Sequence, residues 1–412
     1  MPGDYERVSP HSRGFPLLRR HKTSFPEVSI LKDNRASLVV APSVVSIRVY
    51  SGEGGVCFGS GFVLESNQQF EAAILTSGAL FKGDDLQVVV FLPNRKMFLG
   101  EVEVCDFHFN LALVKVRADE LLKPVKLGHI KENVCFRAPC DRAELFLPGS
   151  RLIALGRNQV YIEDFMVASG EFSVEDCQLD CKELLNSTCK IEKSGIGGPM
   201  INQEAQVVGV NFFANDSTPF LPINIVMRWL QLFRKYGECR RPWMGMRVSN
   251  LYTMTSCTLE KVFQKFPSLR SGVVVDEVTP NSPAGYAGIV SQDIILACDG
   301  DAIEGCLQMF DMISDKVGKP TNLLIAKLDG SQQILSVVIA DVDPSQFYGW
   351  PLQAPHGDLL KDRTSWPLLS EVLKLEGKRV TNKRKGIHRL LKYQSKKRRC
   401  IHMNLFKRLT FL

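Results

Sequence analysis

The sequence predicts a mainly β chain: a large all-β barrel or sandwich unit, then a small α+β module, then a basic tail. Three observations predict it. Short β-branched or apolar runs, punctuated by Gly, Asn, Asp or Pro, recur at roughly 8–12-residue spacing from residue 44 to 213. Two Asp-Gly turns, Asp299-Gly300 and Asp329-Gly330, sit in a later stretch that mixes strand-like and helical runs. The 412 residues carry a net +7, yet 13 Lys/Arg and no acid fall within 377–412, which leaves the other 376 residues at −6.

That split excludes a basic nucleic-acid binder built on the whole chain; only the tail qualifies. With 45% hydrophobic and 23% charged residues, global disorder is excluded, and the length allows two or three domains. No apolar run approaches the roughly 18 residues of a membrane span. Asp4 and Glu6, with Arg19, Arg20, His21 and Lys22 behind Phe15–Leu18, argue against a signal peptide. The twelve Cys read as reduced thiols. Cys177, Cys181 and Cys189 lack paired C-x-x-C spacing and have no His nearby, so no metal site is expected.

Residues 1–35 read as a loose arm, and 36–237 as the β unit. Its strand candidates are 44–50, 61–64, 72–76, 86–91, 98–104, 111–116, 151–155, 161–168, 199–201 and 207–213. Residues 223–236 read as a helix, with Ile223, Val226, Met227, Leu230 and Phe233 on one face. G-E-C-R-R-P at 237–242 is a linker. The module at 243–342 has strand candidates 245–248, 272–278, 294–298, 321–326 and 334–339, and a helix at 307–317. Residues 343–412 form an irregular Pro- and Trp-containing connector and the basic tail.

Four segments of the β unit resemble, in order and spacing, the HtrA/Deg (protease Do-like) family of trypsin-fold serine proteases. They are Gly59-Ser60-Gly61-Phe62-Val63, Ile74-Leu75-Thr76-Ser77-Gly78-Ala79-Leu80, Asn110-Leu111-Ala112-Leu113-Val114-Lys115-Val116 and Ser194-Gly195-Ile196-Gly197-Gly198-Pro199-Met200-Ile201-Asn202. Val207–Asn211 and Phe220–Ile223 extend the match. The resemblance covers about 40–342 and is greatest to the plant Do-like branch. It implies a double β-barrel followed by a PDZ domain, and no cofactor.

The departures fall on the chemistry. Ala79 stands where the resemblance expects the general-base His, Asn110 where it expects the orienting Asp, and Ile196 where it expects the nucleophilic Ser. A methyl cannot accept a proton, and an isobutyl group cannot attack a carbonyl. Gly195, Ile196 and Gly197 retain the backbone for an anion-binding turn, the remnant of an oxyanion hole. Ser194, His108 and His129 lie too far from the motif positions to substitute for the lost groups. The resemblance therefore implies a pseudoprotease. A serine endopeptidase with non-standard catalytic residues stands as the alternative.

Trp243-Met244-Gly245-Met246 stands where the family's PDZ domains carry Y-I-G-V, the loop whose N–H groups cradle a peptide carboxylate. Met309, Met312 and Ile313 on the following helix are candidates for the groove wall, and equally for plain core. The expected partners are peptide C-termini or extended β-strand segments of proteins. Residues 253–269 lengthen the connection between the first two strands and either cover or reshape the groove. Family members often trimerise through an aromatic N-terminal segment; Phe15 and Phe25 are the aromatics on offer, and a homo-oligomer stays open.

In the tail, Lys383-Arg384-Lys385 and Lys396-Lys397-Arg398-Arg399 resemble a bipartite nuclear-import signal, with an importin as partner. A nucleic-acid arm, a membrane-surface patch and a solvated tail are the alternatives. The expected location is nucleus or cytoplasm, with organelle targeting open. A nuclear or nucleic-acid-associated adaptor is thus a third reading.

Overall fold

A computed structural model of the chain describes residues 27–341 apart from 52–55, 84, 132–145, 159–163, 176, 178, 180 and 182. The tail clusters at 383–399 lie outside the described residues. The first region runs α1 (Glu27–Val40), β1 (Val44–Tyr50), β2 (Val56–Ser66), β3 (Glu71–Ser77), β4 (Gln87–Phe91), β5 (Met97–Asp106) and β6 (Leu111–Arg117). It continues with β7 (Lys126–Leu127), β8 (Arg151–Arg157), β9 (Phe165–Ser173), β10 (Asn186–Ser187), β11 (Pro199–Ile201), β12 (Gln206–Asn211), β13 (Phe220–Pro222) and α2 (Ile223–Tyr236). The chain is mainly β, as its sequence predicts.

β1 to β6 close into a barrel in the order β1-β2-β3-β6-β5-β4. β1 and β4 are buried almost throughout, whereas β5 is mostly half-exposed. Val45, Ile47 and Val49 of β1, with Ala112, Val114 and Val116 of β6, fill the barrel. Val44, Leu111 and Leu113 point the other way, into a second core shared with β8, β12 and α2. Each such fully buried Ile or Leu contributes roughly 1.5–3 kcal/mol relative to exposure. The second sheet runs β10-β9-β8-β11-β12-β13, with β7 against β12. A bridge between Leu185 and Phe220, with the Thr218 N–H donating to Ser187 O at 3.0 Å, joins its two ends and closes the second barrel.

α1 corrects residues 27–35 of the expected loose arm; residues 1–26 of it lie outside the described residues. It escapes sequence reading because its polarity is inverted. Asp33, Ala36, Ser37 and Val40 are buried, whereas Leu31 and Leu38 are 68% and 70% exposed. The buried acid has a reason: Arg151 of β8 donates to Asp33 Oδ2 through Nε at 3.0 Å and Nη2 at 2.8 Å. Gln203 donates to Oδ1 at 2.9 Å. The helix is held by an ion pair as much as by apolar contact.

The module that follows comprises β14 (Pro242–Trp243), β15 (Met246–Asn250), α3 (Ser256–Lys265), β16 (Val273–Val278), α4 (Pro283–Tyr286), β17 (Ile294–Cys298), β18 (Asp301–Ala302), α5 (Cys306–Ser314), β19 (Pro320–Ala326), β20 (Gln332–Val338) and β21 (Ala340–Asp341). The sheet path is β15-β16-β17-β19-β20, and β14 pairs with β21. Val273, Val275, Ile295 and Ile325 pack under α5. The alternate residues Val274, Ile294 and Ala326 pack under α3 through Val262 and Phe266. The 253–269 segment therefore carries a helix on the opposite face of the sheet from α5, so that helix does not cover the α5 side.

Candidate functional site

β3 ends at Ser77, and the chain turns through a 3-10 segment, Gly78–Phe81. β5 ends at Asp106, and the turn after it delivers Asn110 in a left-handed conformation, φ 54°. Asn tolerates that region better than most residues. These two ends meet. Asn110 Oδ1 accepts the Ala79 N–H at 2.6 Å and the Ser77 hydroxyl at 2.9 Å, and its carbonyl accepts the Gly78 N–H at 2.9 Å. Two of the three positions singled out in the sequence, 79 and 110, are thus in contact, and the amide closes a turn. The Ala79 methyl offers neither donor nor acceptor.

Ile196 is half-buried and follows a 3-10 turn, Lys193–Gly195. The expected anion-binding turn is corrected here, because its N–H groups have internal acceptors. Gly195 donates to Glu192 O at 2.9 Å, Ile196 to Lys193 O at 3.2 Å and Gly197 to Asn211 O at 2.9 Å. An incoming oxyanion would have to displace them. The glycines persist for packing. Gly197 has φ 80°, and a Cβ there would lie 2.5 Å from Thr76 Oγ1 and 2.7 Å from Ser77 N. A Cβ on Gly198 would lie 2.1 Å from Leu155 O. The turn is wedged between the two barrels beside the strand that leads to Ala79, so the third position joins the other two.

Ser60, which the sequence offers only as part of the Gly59–Val63 segment, locks this wedge. Its N–H donates to Ile196 O at 2.8 Å, and its hydroxyl donates to Ser194 O at 2.6 Å and accepts the Arg157 N–H at 2.8 Å. Ser194, His129 and His108 stand in three separate settings. The Ser194 hydroxyl faces Met166 Sδ at 3.4 Å. His129 Nδ1 faces the Asn224 amide at 3.4 Å. The His108 ring packs edge-on against Phe109.

His108 belongs to a second cluster that the sequence did not reveal, because its members are far apart along the chain. Asp106 is 1% exposed. It accepts the Trp229 indole N–H at 3.0 Å, the Arg241 guanidinium at 2.7 Å and the His108 backbone N–H at 2.8 Å. Burial first, then Arg241, pushes the His108 imidazole down from its ordinary 6.5 to about 4, with Asp106 opposing. Arg241 also donates its backbone N–H to Asp341 at 3.0 Å. On the same side, Phe109 meets Phe310 of α5 edge-to-face at 6.2 Å, and Leu307 of α5 enters the second-barrel core. Arg228 of α2 pairs with Asp315 at 2.8 Å and Asp311 at 3.2 Å. The loop leading to Asn110 is thereby tied to the sheet module.

In that module Trp243 lies in β14, Met244 is buried, and Met246 opens β15. Gly245 has φ 76°, and a Cβ on it would lie 2.1 Å from Ser282 Cβ. Only glycine fits there. The Met244 carbonyl accepts the Ala284 N–H at 2.9 Å, and the Gly245 carbonyl accepts the Thr279 N–H at 2.7 Å. Met309 and Ile313 are buried in the core under α5, and Met312 is half-buried against it.

Comparisons with known proteins agree with this geometry. Residues 59–210 match the trypsin-like peptidase domain. Putative protease Do-like 14 of Arabidopsis thaliana is 27% identical over 332 residues, 75% of this chain and 71% of that protein. Serine protease HTRA1A of Danio rerio is 23% identical over 327 residues, 74% of this chain but 63% of that protein, so the chain spans less than two thirds of this relative. Among solved structures, the HtrA-type protease AlgW superposes with a TM-score of 0.52 at 17% identity, over 76% of this chain and 98% of its own. That likeness speaks to the fold. Residues 59–210 thus carry a trypsin-like peptidase domain, and with the ordered motifs around Ala79, Asn110 and Ile196 these matches support a relationship to the HtrA/Deg family of Do-like proteins.

Proposed function

We propose that this member of the family has kept the trypsin fold as a scaffold without proteolysis, and that its sheet module acts as a PDZ-type receptor for peptide C-termini or extended segments. One observation carries the first half: Asn110 Oδ1 is bonded to the backbone of Ala79 at 2.6 Å, beside a nucleophile turn whose N–H groups are already engaged. Nucleophile, base and oxyanion donors are all missing from one intact framework.

The receptor reading is supported by three features. β15 stands at the end of the sheet path, where an added strand can pair. The Met244 and Gly245 carbonyls point into the 279–284 turn. In planar trans peptides the N–H groups of Gly245 and Met246 then point the opposite way, toward a ligand carboxylate. α3 lies on the other face and leaves the α5 side uncovered by the insertion. The AlgW relative was itself solved with a tripeptide.

Purified protein is expected neither to react with a serine-directed fluorophosphonate nor to cleave casein. Peptides with a free C-terminal carboxylate are expected to bind better than their amidated forms in fluorescence anisotropy. Fluorophosphonate-sensitive casein cleavage would overturn the scaffold reading, and equal affinity of the two peptide forms would overturn the carboxylate loop. For the tail, 13 basic residues without an acid favour import into the nucleus through an importin. Deleting 378–399 is expected to abolish nuclear accumulation.

A further inference from the structure

Cys298 ends β17, and Asp299 opens the turn after it. Lys316 lies just beyond α5, its backbone N–H donating to Ile313 O at 3.0 Å. Its Nζ is 2.6 Å from Asp299 Oδ2 and 3.5 Å from Cys298 Sγ. Asp299 is itself fixed: Oδ1 accepts the Asn322 N–H at 2.8 Å, and its own N–H donates to Asn322 O at 2.7 Å. A carboxylate anchored to the sheet thus delivers a primary amine to a thiol. Cys298 is 1% exposed, whereas the Lys316 side chain is 27% exposed, so the amine stands between sulfur and solvent.

We propose that Cys298 and Lys316 form a peroxide-responsive modification site in which thiol and amine condense to a reversible sulfur–nitrogen cross-link. In the first step the thiolate attacks hydrogen peroxide and the O–O bond breaks. Sulfur loses two electrons and keeps one peroxide oxygen as a sulfenic acid; the other oxygen leaves as hydroxide, which takes up the proton released by the thiol and becomes water. In the second step Asp299 takes one proton from the Lys316 ammonium, and the freed nitrogen lone pair attacks that sulfur. The S–N bond forms, the S–O bond breaks, and hydroxide leaves as water with a second ammonium proton. The proton on Asp299 passes to solvent. No further oxidant is needed. An external thiol reverses the link by attacking sulfur and releasing the amine.

Burial raises the Cys298 thiol above its ordinary range, and the Lys316 ammonium opposes that rise. The amine therefore favours thiolate formation before it captures the product. The link would tie the turn after α5 to the end of β17. The proposal stands independently of any peptide bound beside α5.

The test oxidises the full-length chain with graded hydrogen peroxide and maps its peptides by mass spectrometry. Exposed Cys257 reports the oxidant dose. The expected result is a joined pair of peptides containing Cys298 and Lys316, two hydrogens lighter than their sum, which dithiothreitol separates. Lys316→Arg retains the charge and the Asp299 pairing. It is expected to lose the link and to accumulate sulfinic acid at Cys298. The proposal is overturned if Cys298 in the unaltered chain stays a thiol, or reaches sulfinic acid as readily as in Lys316→Arg, with no joined pair.

Discussion

The side-chain oxygen of Asn110 and the backbone nitrogen of Ala79 lie 2.6 Å apart, so the residue at the acid position holds the base position through its main chain. This bond runs to the main chain and so does not depend on which side chain stands at position 79. Asn110→Ala removes the acceptor for two donors and puts a Cβ residue without local compensation at φ 54°. We expect a loss of about 2–4 kcal/mol in urea unfolding. Asn110→Asp keeps the acceptor and is expected to lose much less.

Restoring the side chains alone will not restore a protease. In Ala79→His/Asn110→Asp/Ile196→Ser the nucleophile's N–H is still bonded to Lys193 O at 3.2 Å. Loss of one oxyanion donor lowers kcat by roughly 10²–10³. The revertant is expected to label with fluorophosphonate yet hydrolyse an activated ester at least ~10²-fold more slowly than an intact family protease. Hydrolysis at the full rate would show that the turn opens on its own.

Barrel strands and the α2 helix were legible in the sequence because local pattern specifies them. α1 was not, since its buried face is Asp33, Ala36, Ser37 and Val40, and the partner that makes Asp33 tolerable, Arg151, is far away in sequence. The turn at 193–198 was half legible. Its glycines announced a tight turn, but the direction of the Ile196 N–H depends on a backbone rotation that no residue type signals. Asp106 was invisible for the same reason as α1: Trp229 and Arg241 make it a site only once the chain is folded.

Gly197→Ala separates packing from chemistry at the old nucleophile turn. The new Cβ would meet Thr76 Oγ1 at 2.5 Å and Ser60 O at 2.6 Å in a backbone at φ 80°. A cost of at least about 3 kcal/mol is expected, from strain and displaced backbone. Ile196→Ala, at a half-buried position, is expected to cost about 1 kcal/mol. Thermal melts of the two variants check the order.

His108 gives stability a pH dependence with a definite sign. Its folded value is about 4 against 6.5 ordinarily, so the unfolded chain binds the extra proton between those values. The contribution is complete above about pH 6.5 and is lost as pH falls toward 4, by at most about 1.4 kcal/mol per unit. His108→Gln is expected to flatten the urea midpoint across that window. An unchanged slope would remove His108 as its source.

Arg241 offers a check on the link between the barrel and the module. Arg241→Leu strips the guanidinium from a carboxylate that is 1% exposed and leaves Asp106 with two neutral N–H donors. Breaking one side of a buried pair costs about 3–5 kcal/mol, and removing both charges costs less. Asp106→Asn/Arg241→Leu is therefore expected to be more stable than Arg241→Leu alone. The single variant also removes the second-largest cause of the depressed His108 value, so that value should rise and its acid window narrow. Because Arg241 sits between Asp106 and Asp341, thermal unfolding of the single variant is expected to separate into two steps, the module first. A single step with an unshifted His108 titration by NMR would mean that Arg241 does not couple the two.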